Sequence, residues 1–262
     1  MDLMLMDKVA LVTAASRGLG KAAALELSRA GARLAIASHS EHIHEAALSI
    51  REETKHPVLA AEADLTKPAE IEALVNRTLK TYDRIDILIL NAGGPPPGSF
   101  LDLKPVDWEK AFQLTVMSAV HLCYQVVPIM LEQGAGSIVA TQSLSVRQPI
   151  ENLALSNSLR LGVIGLMKTL ADELGPRGIR VNSINPGWTK TDRVTQLLAS
   201  RAQANGTTPG EEEQRITAGI PLGRMGTVEE YGRAIAWLAS PAASYIHGHA
   251  LMFDGGSTRS AL

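Results

Sequence analysis

Val9-Ala10-Leu11-Val12-Thr13-Ala14-Ala15-Ser16-Arg17-Gly18-Leu19-Gly20 is a short aliphatic run that ends in a polar, glycine-bearing turn. The turn leads straight into an amphipathic segment, Leu19–Ala30. So short a run bounded by turn residues reads as a buried strand, and the periodic segment beyond it as a helix. Glycines at such a junction let the backbone approach a pyrophosphate. The helix N-terminus adds free N–H groups and the positive end of its dipole.

The same alternation repeats outward from this unit. Strands are predicted at Val9–Thr13, Arg33–Ala37, Val58–Ala61, Ile85–Leu90, Ser137–Thr141, Ile179–Ile184 and Ala250–Phe253. Helical patterns fall at Leu19–Ala30, Glu41–Glu53, Pro68–Lys80, Val106–Leu131, Asn152–Leu174 and Val228–Ala239. Gly31 and Gly175-Pro176 read as helix stops, and Thr66-Lys67-Pro68 as an N-cap with proline just inside the helix. Alternating β and α units predict an α/β fold: a doubly wound, Rossmann-type parallel sheet with helices on both faces. One domain over residues 1–262 is expected, since no linker divides the chain. Thr189–Gly219 is a polar insertion that reads as a lid. Ligands of such sheets bind beyond the carboxyl ends of the strands, so candidate site residues are sought there.

The bulk numbers narrow the partners. The chain of 262 residues is 45% hydrophobic and 20% charged, with a formal net charge of -2. Its charges are interspersed, which argues against nucleic acid and anionic lipid as partners. A single cysteine, Cys123, excludes an internal disulfide and reads as a buried thiol. No apolar stretch approaches the ~20 residues of a membrane span. Met1–Lys8 lacks the basic-then-apolar order of a signal peptide, so a cytoplasmic protein is expected. His39, His42 and His44 begin a polar helix rather than line a cleft, and no metal site is assigned to them.

The turn Thr13–Gly20 resembles the Thr-Gly-x-x-x-Gly-x-Gly signature of the classical short-chain dehydrogenase/reductase family, with Ala14 in the first glycine's place. Were positive φ required there, alanine would cost roughly 1 kcal/mol. Asp64-Leu65, Asn91-Ala92-Gly93-Gly94, the run Asn185-Pro186-Gly187-Trp188-Thr189-Lys190-Thr191 and the ending Asp254-Gly255-Gly256 resemble further family landmarks in order. The resemblance spans essentially the whole chain and is broadly to members labelled 3-oxoacyl-carrier-protein reductases. It implies a nicotinamide dinucleotide held by Thr13, Ser16, Arg17, Gly18, Leu19, Gly20, Asp64, Leu65, Asn91, Ala92, Gly93, Arg160, Pro186, Gly187, Thr189 and Thr191. It also implies a homodimer or homotetramer built on the fourth and fifth helices and the last strand. Val116, Val120, Leu161 and Ile164 could serve that contact, or the monomer core equally well.

Cofactor choice turns on the end of the second strand. An acidic residue there binds ribose hydroxyls and repels a 2′-phosphate. Ser38 stands there instead, with His39 beside it and Arg17 in the turn. Small hydroxyl plus cationic or donor groups favour NADP, with NAD possible.

The resemblance implies a serine that steadies the substrate carbonyl, a tyrosine that moves the proton, a lysine four residues on, and a supporting asparagine. Ser143 matches the serine. In register, the tyrosine position is Ser156, the lysine position Arg160 and the asparagine position Thr115. Tyr82, Tyr124, Tyr231 and Tyr245 all lack a lysine four residues later, so the motif has not slipped. An aliphatic hydroxyl lies several pKa units above a tyrosine, and an arginine does not relay protons by deprotonation. Loss of such a proton transfer removes about 10²–10⁴-fold in rate. Glu151 as an acid raised by burial, or Arg147 polarising the carbonyl, with Gln148 beside them, are candidate replacements; solvent-facing loop charges are the simpler reading. Two functions stay open: an NADP-dependent oxidoreductase of a small-molecule carbonyl or alcohol, and a non-catalytic dinucleotide-binding sensor or oligomer subunit.

Overall fold

The computed structural model describes residues 2–260, so Met1, Ala261 and Leu262 of the expected domain lie outside it. Among the described residues the strands are β1 (Val9–Val12), β2 (Arg33–Ser38), β3 (Val58–Glu62), β4 (Ile87–Leu90), β5 (Gly136–Thr141), β6 (Ile179–Pro186) and β7 (Ala250–Phe253). They form one seven-stranded sheet in the order β3-β2-β1-β4-β5-β6-β7, and every neighbouring pair is parallel. All the residues of β1 and β4 are buried, which is why both read as unbroken aliphatic runs.

Helices cover both faces: α1 (Gly18–Arg29), α2 (His42–Thr54), α3 (Pro68–Tyr82), α4 (Pro105–Phe112), α5 (Ser118–Gln133), α6 (Ala154–Leu174), α7 (Asp192–Asn205), α8 (Pro209–Thr217) and α9 (Val228–Ala239). On one face Ile71, Leu122, Val126, Val163 and Met167 meet Leu88, Ile138 and Ala140 of the sheet. On the other, Leu27, Ile43, Ile50, Tyr231 and Ile235 meet Ile36, Ile89 and Val139. Each fully buried Leu or Ile contributes roughly 1.5–3 kcal/mol of transfer free energy. Here α1 and α9 pack so closely that a Cβ on Gly232 would lie 2.6 Å from the Ala22 carbonyl oxygen. Cys123 is buried as expected, and desolvation pushes its thiol up to about 12.

Several local expectations need correction. The helix expected over Val106–Leu131 is α4 and α5 joined by a π-helical turn, Gln113–Met117. That 29-residue element, Pro105–Gln133, is long and apolar enough to cross a membrane, against the sequence expectation. In the fold its Leu122, Val126 and Met130 are buried against the sheet. Thr66 does not cap α3; its hydroxyl donates to Asp64 Oδ1, and Lys67 is the N-cap. Beyond α6 the chain continues through a 3₁₀ turn, Gly175–Arg177, and the left-handed residue is Gly178 at φ +80°.

The insertion over residues 189–219 is helical. Thr191 caps α7, Thr208 caps α8 through a reciprocal pair with Glu211, and Glu212 is buried between the two helices. Glu212 accepts hydrogen bonds from Asn205 Nδ2 (3.2 Å), Thr207 Oγ1 (2.6 Å) and Arg215 Nη1 (2.7 Å). Those bonds fix the α7–α8 corner.

Candidate active site

The strand order reverses between β1, which is followed by β2 on one side, and β4 on the other. Their carboxyl ends are sewn together there. Thr13 Oγ1 donates to the Asn91 carbonyl at 2.7 Å and accepts from the Asn91 amide at 3.1 Å. Asn91 Nδ2 donates to the Ala14 carbonyl at 3.2 Å. Ala14 itself sits at φ +47° and Gly18 at φ +56°. Thus Ala14 does occupy a position that favours glycine. A Cβ on Gly20 would stand 2.2 Å from Ala14 O and 2.7 Å from Asn91 Nδ2, so only glycine fits. Arg17, the N-cap of α1, is extended and offers no side-chain cap. The first N–H groups of α1 therefore point at a backbone cradle with no protein acceptor supplied by the cap. This cradle fits a dinucleotide pyrophosphate.

At the end of β2, Ser38 is buried and its hydroxyl donates to Ser16 Oγ at 3.1 Å. Arg17 and His39 are exposed beside it. Asp64 lies beyond β3, where the Thr66 N–H and O–H hold its carboxyl below the usual range; its neighbour Leu65 is buried. His42 and His44 pair with Glu45 and Glu62, and among the described residues no metal-binding group of His, Cys, Asp and Glu occurs.

Ser143 follows β5 and caps a single 3₁₀ turn, Leu144–Val146. Its Oγ accepts from Ser145 N at 3.1 Å, which leaves the hydroxyl proton free to be donated. Ser156 and Arg160 occupy one face of α6 at i, i+4, and Arg160 Nε donates to Ser156 Oγ at 3.1 Å. Arg160 Nη1 also reaches the Gln142 carbonyl at 3.1 Å. Burial, with the charge of Arg193 second, pulls the Arg160 guanidinium from 12.5 down to about 10. Thr115 lies in the π-turn; it lines the same small pocket as Asn91, Ala92, Gly93 and Arg160, and its buried Oγ1 has no hydrogen-bond partner.

The Pro186-Gly187 turn closes the cleft. A Cβ on Gly187 would stand 2.8 Å from the Asp254 side chain and 3.2 Å from Leu144, so the turn wedges between the β5 loop and the residues after β7. Thr189 is buried, and Thr191 lies within van der Waals reach of Gly18. Of the sequence-derived positions, Asn91, Ala92, Gly93, Thr115 and Arg160 line one small pocket, while Thr13, Ser38, Asp64, Ser143 and Pro186 stand at or just beyond the carboxyl ends of their strands. Glu151 and Arg147 are exposed, and Glu151 lacks the buried setting its acid role needs.

Three residues were not foreseen. Gln142 supplies Arg160 with an acceptor. Arg193, near the start of α7, donates to the carbonyls of Gly94 and Pro95. Tyr231 lies under the site, its Oη 2.7 Å from Thr141 Oγ1, and desolvation raises its pKa. Tyr231 has no exposed surface, so it does not replace the missing tyrosine as a proton donor to substrate.

Residues 13–258 match the family model described as enoyl-(acyl carrier protein) reductase. The chain is 34% identical to a 3-oxoacyl-[acyl-carrier-protein] reductase of Synechocystis over 255 residues, covering 96% of this chain and 97% of that protein. The chain belongs to the short-chain dehydrogenase/reductase family. It is equally 34% identical to the L-rhamnose 1-dehydrogenase (NAD(P)(+)) of Azotobacter vinelandii, covering 97% of this chain and 98% of that relative. Among solved structures, the L-sorbose reductase of Gluconobacter frateurii, complexed with NADPH and L-sorbose, superposes with a TM-score of 0.95 at 30% identity. That match covers 99% of this chain and 100% of the sorbose reductase. As a short-chain dehydrogenase/reductase the chain is an oxidoreductase, while the relatives are named for a 3-oxoacyl-[acyl-carrier-protein], L-rhamnose and L-sorbose and so do not define one substrate.

Proposed function

We propose that this protein transfers hydride between NADP(H) and a small-molecule carbonyl or alcohol, with Ser143 and Arg160 as its working polar groups. The observation that carries this reading is the pocket that Arg160 and Gln142, the residue before Ser143, share with Asn91–Gly93, next to the glycine cradle that Asn91 braces. NADP over NAD follows from Ser38 at the end of β2, with Arg17 and His39 exposed beside it and no acidic side chain at that position.

When bound, the nicotinamide supplies the hydride that adds to the carbonyl carbon. Ser143 donates its free proton as a hydrogen bond to the carbonyl oxygen, where charge develops as the C=O π pair moves onto oxygen. Arg160 adds a fixed positive charge and donors for ribose oxygens. It holds Ser156 as an acceptor and stays protonated through the neutral range. The proton that ends on the product oxygen comes from solvent, because Ser156 is too weak an acid and the Arg160 guanidinium is tied to Ser156 and Gln142. A second copy of the chain packed on the outer face of α4–α6, where Tyr124 and Leu161 are exposed, completes a homodimer or homotetramer in the cytoplasm.

The decisive experiment is calorimetric titration with NADPH and NADH, followed by a broad carbonyl panel. NADPH binding with turnover that falls about 100-fold or more in Ser143→Ala supports the proposal. Tight NADPH binding without turnover on any carbonyl points to a non-catalytic dinucleotide-binding protein.

A further inference from the structure

We infer that Tyr231 is a positioning residue: its hydroxyl, paired with that of Thr141, holds the end of β5 in the place from which Ser143 and the carbonyls that bind Arg160 serve the reaction. The inference rests on the oxidoreductase reading above and adds to it a residue that touches neither substrate nor dinucleotide.

Tyr231 belongs to α9 and has no exposed surface. It shares an apolar layer with Val12, Val139, Ile184 and Ile235. Thr141, the last residue of β5, brings a second buried hydroxyl to that side of the sheet, and Thr141 Oγ1 lies 2.7 Å from Tyr231 Oη. Among the described residues neither hydroxyl has another hydrogen-bond partner. Burial raises the pKa of the phenol, so Tyr231 stays neutral and acts through this bond alone. Were space-filling the whole task, two apolar side chains of the same outline would do it without desolvating two hydroxyls. What the pair adds is direction, since a hydrogen bond fixes distance and angle where apolar contact permits sliding.

Both walls of the cleft hang on this bond. Ser143 lies two residues beyond Thr141, and the Gln142 N–H between them still pairs with the Ile184 carbonyl at 2.9 Å. The carbonyls of Gln142, at 3.1 Å, and more weakly of Thr141, at 3.5 Å, accept from Arg160 Nη1. On the other side the Tyr231 ring stands edge-on to Phe253, with centroids 5.6 Å apart and planes at 81°. The Phe253 carbonyl accepts from the Gly187 N–H at 2.9 Å. Tyr231 therefore braces the Ser143 turn against the Pro-Gly turn. A shift of well under 1 Å between such walls lowers rate more than affinity.

The test compares Tyr231→Phe, Thr141→Val and the double variant in the full chain, with NADPH and with ethyl acetoacetate and L-sorbose as carbonyl probes. Each single change strands one buried hydroxyl and should lower the urea midpoint; the double change removes both and should restore it. If the bond positions the site, kcat falls about tenfold in all three variants, while KM and NADPH affinity stay within about twofold. In the double variant the amides of Gln142 and Ser145 should also exchange with deuterium faster than in the unmodified protein, while those of Leu11 and Ile89 do not. A double variant that regains kcat together with stability overturns the inference, because the pair is then packing only. If the unmodified protein reduces neither probe, hydrogen exchange decides: faster exchange at Gln142 and Ser145 supports the brace while the missing turnover counts against the oxidoreductase reading, and unchanged exchange overturns the brace.

Discussion

Ala14 adopts φ +47°, a left-handed conformation that an L side chain occupies at a cost. Replacing it with glycine relieves that strain and is expected to stabilise the protein by about 1 kcal/mol in urea unfolding, despite glycine's looser unfolded state. Arg160 carries a different tension. Its folded value, about 10, lies below its ordinary 12.5, so the protonated group costs stability, and that cost begins to fall only above about pH 10 and is gone near 12.5. From pH 6 to 9 it stays charged. The kcat/KM profile over that range should therefore show no titration belonging to residue 156 or 160. Substituting Ser156→Tyr and Arg160→Lys together should raise turnover about 100-fold or more and introduce a pH-dependent limb. An unchanged rate in a folded double variant would mean that the pocket is not shaped for carbonyl reduction.

Elements were legible in the sequence where burial imposes a pattern. The strands β1 and β4 are unbroken aliphatic runs because both faces are covered, the others were marked by shorter aliphatic stretches between turn residues, and α1 and α9 carry clear apolar stripes. The helices α7 and α8 were read as polar insertion, since only Leu198, Ala202 and Glu212 are buried along them. Thr191 and Thr208 were the available signals, as capping residues; Arg193 became visible only once Thr191 was placed as an N-cap. The π-turn in the long helix left no trace, because one extra residue per turn does not disturb the apolar stripe enough to show. Tyr231 reaches the site only through the tertiary pairing of α9 with β5, which spacing along the chain does not encode. Arg180 of β6 is a comparable hidden tie. Its guanidinium donates to the carbonyls of Leu238, Ala239, Ser240, Ala243 and Ile246, closing the carboxyl end of α9. Truncation by Arg180→Met strands those acceptors and is expected to lower unfolding free energy by roughly 3 kcal/mol, measured by chemical denaturation.

Across the whole molecule, the fold is that of the family, while the positions that the resemblance implies for proton transfer carry Ser156 and Arg160. Cradle, sheet order and Pro-Gly turn survive, so binding and turnover are separable here and must be measured separately. We expect residues 189–219 to act as a lid, hinged before Thr191 and kept as one piece by the buried Glu212 carboxylate. Limited proteolysis should cut this segment first in the free protein and markedly more slowly with saturating NADP⁺. Equal cleavage in both states would count against the lid.

The bonds between Thr13 and Asn91 join residues 78 positions apart. A ribosome delivers β1, β2 and β3 with their helices before β4 exists, so the nascent glycine turn at first lacks the amide and carbonyl that brace it. Such distant closures come late in folding. Newly made chains should therefore be blind to the dinucleotide until β4 inserts beside β1, after which ligand capture and completion of the central sheet reinforce each other. A fragment ending near residue 85 would keep three neighbouring strands and the glycine turn, but not the Asn91 brace that holds that turn in shape.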